Sequence, residues 1–243
     1  MHISSPLDSR LQAQVDTALA VLRDAARLAP AVFSTSFGAE DMVVLDLIRR
    51  HELDIGIFTL DTGRLPEQTY ALMQQVEERY GACLDTLYPD QDALQRLVSA
   101  NGINGFYASV ENRKACCAVR KVKPLARGLA AKRAWVTGLR AQQAVTRAQL
   151  QAREYDTVYC LEKFNPLFDW TEPQVWEYLR ATQVPYNALH DRGYPSIGCA
   201  PCTRAIALGE ETRAGRWWWE SADTKECGLH GSVPRAIPLR ELA

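Results

Sequence analysis

Two pairs of cysteines and one solitary cysteine are the residues of this chain best suited to chemistry. Cys116 and Cys117 are adjacent within Lys114-Ala115-Cys116-Cys117-Ala118-Val119-Arg120-Lys121, and Cys199 and Cys202 bracket Ala200-Pro201. At the start of a helix, neighbouring residues diverge by roughly 100°. Both thiolates then reach one multi-iron cluster more easily than one tetrahedral ion. The second pair makes four thiolates, the usual number for a 4Fe–4S cluster, and Arg120 and Lys121 would offset its negative charge. Taken alone, Cys-Cys is equally consistent with buried packing, and Cys-Ala-Pro-Cys with a thioredoxin-like dithiol or half a zinc site. Only the combination points to a cluster. Cys227 differs from all four, lying in the polar, glycine-flanked stretch Lys225-Glu226-Cys227-Gly228-Leu229-His230-Gly231. Lys225 and His230 would favour its thiolate, the form that attacks electrophilic sulfur. The competing reading is an incidental tail thiol. Cys83 and Cys160 sit in strand-like runs and are expected to be small buried hydrophobes.

Three polar segments have the character of a ligand site. Ser34-Thr35-Ser36-Phe37-Gly38-Ala39-Glu40-Asp41 joins an apolar run to a helical pattern. Its hydroxyl residues and glycine would let backbone N–H groups face an anion at a helix N-terminus, although a plain capped helix start is the commoner use. It lacks the Gly-Lys-Ser/Thr ending of a phosphate-binding loop for ordinary NTP hydrolysis. Asp61-Thr62-Gly63-Arg64 follows the next apolar run, and two such loops at neighbouring strand ends suit a nucleotide. Arg140 follows Gly138-Leu139 and has the geometry to hold a phosphate or sulfate. Arg213 and Arg216 flank Gly215 just before Trp217-Trp218-Trp219, a run expected to pack the C-terminal region.

Elements that would position these groups are legible in the periodicity. Leu11, Val15, Leu19, Leu22 and Ala26 mark an amphipathic helix over 11–29. Short apolar runs at 31–36, 54–60, 83–87 and 134–137 read as strands, with helices through Ile48, from Pro66, at 92–99 and at 118–130. Strands alternating with helices imply a mostly parallel α/β sheet covered on both faces, with ligands at the carboxyl ends of the strands. Loops 34–41, 61–65 and 138–147 are therefore the ones to watch. Beyond Asn165 the strand signal fades, and Thr171 is expected to cap a helix through about Arg180. The organisation expected is a single domain over 1–243, with a core at about 30–210 and a tail at about 211–243.

Composition narrows the class. Apolar residues are 47% and charged residues 23% of the 243, as in ordinary globular proteins, and the formal net charge is -1. That balance supplies no bulk attraction to nucleic acid or anionic lipid. No apolar run is long enough to span a bilayer, and the N-terminus lacks a secretory pattern, so a cytoplasmic location is expected. An odd count of seven cysteines in a reducing compartment points to metal or redox chemistry, not a disulfide framework.

Together these segments resemble the assimilatory adenylyl-sulfate (APS) reductases, within the family that includes phosphoadenylyl-sulfate (PAPS) reductases. The matching stretches are Ser-Phe-Gly-Ala-Glu-Asp (36–41), Leu-Asp-Thr-Gly-Arg (60–64), Cys-Cys-Ala-Val-Arg-Lys (116–121) and Trp-Val-Thr-Gly-Leu-Arg (135–140). They continue through Asn-Pro-Leu-Phe-Asp-Trp (165–170), Tyr-Pro-Ser-Ile-Gly-Cys-Ala-Pro-Cys-Thr-Arg (194–204), Gly-Arg-Trp-Trp-Trp-Glu (215–220) and Lys-Glu-Cys-Gly-Leu-His (225–230). The resemblance implies an adenine-nucleotide α-hydrolase-like fold, a 4Fe–4S cluster on Cys116, Cys117, Cys199 and Cys202, and Cys227 as nucleophile. It implies conversion of APS and reduced thioredoxin, or a glutaredoxin-like dithiol, to sulfite and AMP in sulfate assimilation for cysteine biosynthesis. A cysteine S-sulfonate would be the intermediate. Substrate contacts are then expected from Ser34, Ser36, Phe37, Gly38, Asp61, Thr62, Gly63, Arg64, Arg140, Arg213 and Arg216. Lys121 from the core and His230 are expected to assist Cys227, whose tail is expected to be mobile, and the protein is expected to be a homo-oligomer. A PAPS-preferring reductase is the nearest rival. A tRNA-thiolating enzyme would be expected to show a Ser-Gly-Gly-x-Asp-Ser-type loop and a basic surface, and a zinc module would leave the nucleotide loops and Cys227 without a purpose.

Overall fold

The computed structural model describes residues 7–143 and 149–221. The first helix, α1 (Ser9–Arg27), is capped by Asp8, whose carboxylate accepts from the Leu11 amide at 2.7 Å, and it buries Leu11, Val15, Leu19 and Leu22 as the periodicity requires. The chain then alternates β1 (Ala31–Thr35), α2 (Ala39–Arg50), β2 (Gly56–Leu60), α3 (Glu67–Tyr80), β3 (Asp85–Leu87) and α4 (Gln91–Asn101). There follow α5 (Val110–Cys117), a π-helical turn over Ala118–Val122, α6 (Lys123–Leu129) and β4 (Ala134–Val136). A hairpin of β5 (Arg153–Asp156) and β6 (Leu161–Phe164) precedes α7 (Glu172–Ala181).

Six strands form one sheet in the order β3-β2-β1-β4-β6-β5, parallel except for the β5 edge. Phe33 pairs with Ile57 on one side and Val136 on the other. Alternate residues of β1 enter different cores. Ala31 and Phe33 pack with residues of α1, α2, α3 and α7, whereas Val32 packs with Phe58, Trp135 and the α6 residues Leu125 and Leu129. Burial on both faces explains why these strands are apolar runs and not alternating patterns. This is the doubly covered α/β sheet expected from the sequence. The order of strands reverses at β1 and β4, and at such a point the outward-diverging connections leave a crevice at the strand ends.

Three local expectations differ from what is found. The cysteine pair does not open a helix: it closes α5, because Ser109 caps that helix eight residues earlier, accepting from the Asn112 amide at 3.1 Å. Ser109 is a better N-cap than any residue near position 118. The strand-like run around Cys160 is instead the turn of a hairpin whose first strand, β5, carried no strand signal, since it is charged and half-exposed as an edge strand must be. The turn is built by Asp156, whose Oδ1 accepts from the Val158 and Tyr159 amides at 2.9 and 3.0 Å. Cys160 lies in that turn with φ 53° and is exposed, not buried. Cys83 precedes β3 and is half-buried against the main core.

Candidate active site

The loop after β1 is closed by its own side chains. The Ser36 amide and hydroxyl both donate to Asp41 Oδ2, at 2.6 and 2.8 Å, and the Phe37 amide donates to Thr35 Oγ1 at 3.0 Å. Phe37 takes φ 61° to do this, an uncommon conformation for a bulky residue. The other wall comes from the β4 end. Gly138 lies so close to Asp41 that a Cβ there would sit 2.1 Å from Oδ1. Trp135 Nε1 donates to Ser34 Oγ at 2.8 Å, tying the two strand ends together. The amides of Ser36 and Phe37 are thus engaged within the loop, and Glu40 and Asp41 stand on the same wall.

Burial pushes the Asp41 carboxyl up to about 6, against the lowering effect of the Ser36 hydrogen bonds. A folded-state value above the unfolded one means that ionisation opposes folding. Its contribution is fully present below the unfolded value of 3.8 and is lost as pH rises through about 6, a difference worth roughly 3 kcal/mol. Asp41→Asn should therefore gain stability relative to the wild type as pH rises from 4 to 7. Parallel urea-unfolding curves across that range check it, and a constant difference would contradict the assignment.

These loops enclose a cavity of about 330 Å³ at the carboxyl ends of β1, β2 and β4. Of the residues expected to bind substrate or assist, Ser34, Ser36, Phe37, Gly38, Thr62, Lys121, Arg140, Arg213 and Arg216 line it. Asp61, Gly63 and Arg64 are not among the described lining residues. Asp61 Oδ1 accepts from the Tyr70 hydroxyl and the Gly63 amide, each at 2.8 Å. Arg64 reaches away, donating to the Ile103 carbonyl at 2.7 Å and Asn104 Oδ1 at 2.8 Å, while its own carbonyl accepts from the Ala200 amide. Arg140 lines the cavity but is committed: Nε donates to Glu40 Oε1 at 2.8 Å and a second nitrogen to the Trp170 carbonyl at 3.3 Å. Cys227 and His230 lie outside the described residues.

Sequence reasoning missed several lining groups. Glu172, Val175 and Trp176 are delivered by the N-terminal turn of α7, fixed by a capping box between Thr171 and Gln174. The box was readable as Thr-Glu-Pro-Gln, but nothing in it says that the helix start faces the sheet edge. His190 also lines the cavity, edge-on to Trp176 at 5.2 Å, and burial lowers its pKa.

Beside the cavity lies the cysteine pocket. Cys117, Cys199 and Cys202 are buried with Phe106 and Trp217, and Cys116 packs against them. Thr62 belongs to both places, since it lines the cavity and its hydroxyl is 3.3 Å from Cys199 Sγ. Burial raises the Cys199 thiol, but Lys121, Thr62, Arg216 and Arg120 together outweigh it, so its pKa falls below the ordinary thiol value. Cys202 is pushed up to about 12 by burial and by Cys199. Among the described residues no set of three or more His, Cys, Asp or Glu side chains has the geometry for a single metal ion. The donor set instead matches a larger sulfide-containing group: four cysteines, cations nearby, and Arg120 Nε buried without a hydrogen-bond partner. An acceptor supplied by such a group would satisfy that N–H. The residues present therefore fit an iron–sulfur cluster.

Residues 30–205 match the phosphoadenosine phosphosulfate reductase domain family. An adenosine 5'-phosphosulfate reductase from Allochromatium vinosum is 61% identical over 199 residues, covering 82% of this chain and 78% of that protein. Another, from Agrobacterium fabrum, is 46% identical over 245 residues, covering 98% and 94%. The crystal structure of a phosphoadenylyl-sulfate reductase from Candida auris in a phosphate complex superposes with a TM-score of 0.67 at 27% identity, covering 84% of this chain and all of that one.

Proposed function

This chain belongs to the phosphoadenosine phosphosulfate reductase family, oxidoreductases acting on sulfur, and from that premise we propose that it reduces APS to sulfite and AMP, with a thioredoxin-type dithiol as reductant. The observation that carries this reading is the shared wall between cavity and cysteine pocket. Lys121, Thr62 and Arg216 line the cavity and also act on Cys199. The proposed nucleotide site and the cysteine pocket are thus joined through three side chains.

In the proposed reaction the Cys227 thiolate attacks the sulfur of APS. The S–O bond to the phosphate breaks, AMP leaves with its electron pair, and a cysteine S-sulfonate remains. A thiolate of the reductant then attacks Cys227 Sγ, and sulfite leaves with the S–S bonding pair. The second thiol of the reductant displaces Cys227 from the mixed disulfide, so the dithiol supplies both electrons. Lys121, Arg213 and Arg216 would neutralise charge on the sulfate and on the departing phosphate oxygen. His230 would help hold Cys227 as thiolate. A 4Fe–4S group on Cys116, Cys117, Cys199 and Cys202 would supply an electrostatic field beside these cations. The nucleotide in this reading is APS and not PAPS. The names of the relatives from A. vinosum and A. fabrum support the same choice. Among the described residues no helix is long and apolar enough to cross a membrane. The reaction proposed is a step of sulfate assimilation towards cysteine, placed in the cytoplasm.

Incubation of the protein with APS alone should produce a chain heavier by one sulfonate and an equal amount of AMP. Reduced thioredoxin should then release sulfite. Absence of both adduct and AMP would refute the reading, and a clear turnover preference for PAPS would overturn the choice of nucleotide.

A further inference from the structure

Arg113 is a fully buried cation that the proposed reaction does not use. It sits one helical turn before Cys117 on α5, so the two side chains share a face, and its guanidinium is within hydrogen-bonding reach of that thiol. Glu220, equally buried, receives it in a two-pronged pair: Nε to Oε1 at 2.9 Å and a terminal nitrogen to Oε2 at 2.7 Å. The guanidinium also lies over the Trp217 ring, 4.7 Å from its centroid, and Arg216 lies over the same ring at 4.8 Å. On its other flank Arg216 presses on the 196–198 backbone. It donates to the Ile197 carbonyl at 3.3 Å, and a Cβ on Gly198 would fall 2.3 Å from its guanidinium.

Packing alone does not account for such a pair. An apolar residue of equal volume often serves a core as well or better, and the role best attested for a retained buried polar pair is to fix the register of the elements it joins. Here it joins α5, which ends in Cys116 and Cys117, to the turn in which the Glu220 amide donates to the Trp217 carbonyl at 2.8 Å. That turn is fastened to the second cysteine pair as well, since the Trp217 amide donates to the Cys202 carbonyl at 3.1 Å.

We propose that Arg113, held by Glu220, is a positioning residue: it clamps Trp217 and, across that ring, fixes Arg216 against the substrate anion while tying this wall to the Cys116–Cys117 end of α5. The inference rests on the reading of Arg216 as a ligand of the substrate anion. A fixed Arg216 matters because misplacement of a positioning group by about 1 Å is enough to cost a large factor in rate or binding.

Arg113→Lys keeps the charge and loses the planar fork. In the iron-loaded protein it should raise the KM for APS about tenfold, because Arg216 holds the anion already in the bound substrate. It should lower kcat as well, because the same cation faces the departing oxygen. In an Arg216→Lys background the same change should add less than about twofold, because the two act through one contact. Glu220→Gln separates clamping from simple charge. A purely electrostatic effect would leave more positive charge near the anion and lower KM, whereas a lost clamp raises it. Bleaching of the cluster absorbance by a chelator, which needs no substrate, should be several-fold faster in Arg113→Lys, as expected when support around the ligands is removed. An unchanged KM and bleaching rate, an undiminished effect in the Arg216→Lys background, or a lowered KM in Glu220→Gln would each overturn the proposal. If the wild type neither binds nor reduces APS, the functional reading fails instead, and the bleaching comparison alone decides whether Arg113 supports the cysteine pocket.

Discussion

Cys227→Ser should bind APS and fail to turn it over. The expected kcat is lower by at least about four orders of magnitude, the scale seen when a covalent nucleophile is removed. AMP affinity should stay within about twofold. The reason is chemical. A serine hydroxyl stays protonated at neutral pH and is a poor nucleophile towards sulfur, whereas a cysteine near cationic groups is readily ionised. Four other cysteines supply the pocket beside the cavity and are buried or half-buried there, so they do not replace it. Intact-mass measurement after incubation with APS gives the cleanest readout. A sulfonate adduct on Cys227→Ser would show that another residue is the nucleophile, and the proposed mechanism would fall with it.

Lys121→Met should lower kcat/KM for APS by two to three orders of magnitude, the usual cost of removing one group that stabilises developing charge. Lys121 lies in the π-helical turn between α5 and α6 and lines the cavity. It is also the largest of the influences drawing the Cys199 thiol down against burial. One cation thus serves both sites, and its loss should be felt as slower release of AMP and as weaker retention of iron. Lys121→Arg keeps the charge with a bulkier head and should recover only part of the rate. Kinetics and iron content measured on the same preparations test this. A Lys121→Met protein with unaltered kcat/KM would remove Lys121 from the chemistry, and unaltered iron content would confine it to the substrate side.

The parallel α/β core was written locally. Runs such as Ala31–Thr35 are apolar because both faces of the strand are covered, and helix α1 shows its buried face through Leu11, Val15, Leu19 and Leu22. The cap of α7 at Thr171 was equally readable, since a cap is made by residues three apart in the chain. Pairing of Cys116 and Cys117 with Cys199 and Cys202 was legible from residue type and count, and the fold brings the four into one pocket. What lay beyond the sequence depends on distant partners. Asp61-Thr62-Gly63-Arg64 reads as one loop, yet Thr62 faces both cavity and Cys199 while Arg64 grips Ile103 and Asn104. Neighbouring side chains in an extended loop point in different directions, and only the packed surroundings determine which meets the ligand. Arg140 has the composition of an anion ligand, but Glu40, a hundred positions earlier, already occupies it. Cys227 is a different case. Its polar, glycine-flanked setting sets it apart from Cys116, Cys117, Cys199 and Cys202, but that local chemistry left an incidental thiol as a competing reading, and the family resemblance is what made it the expected nucleophile. Cys227 itself lies outside the described residues; what the tertiary structure decided is the cavity, with Lys121, Arg213 and Arg216 on its wall, assembled from strand ends and loops that no local pattern brings together.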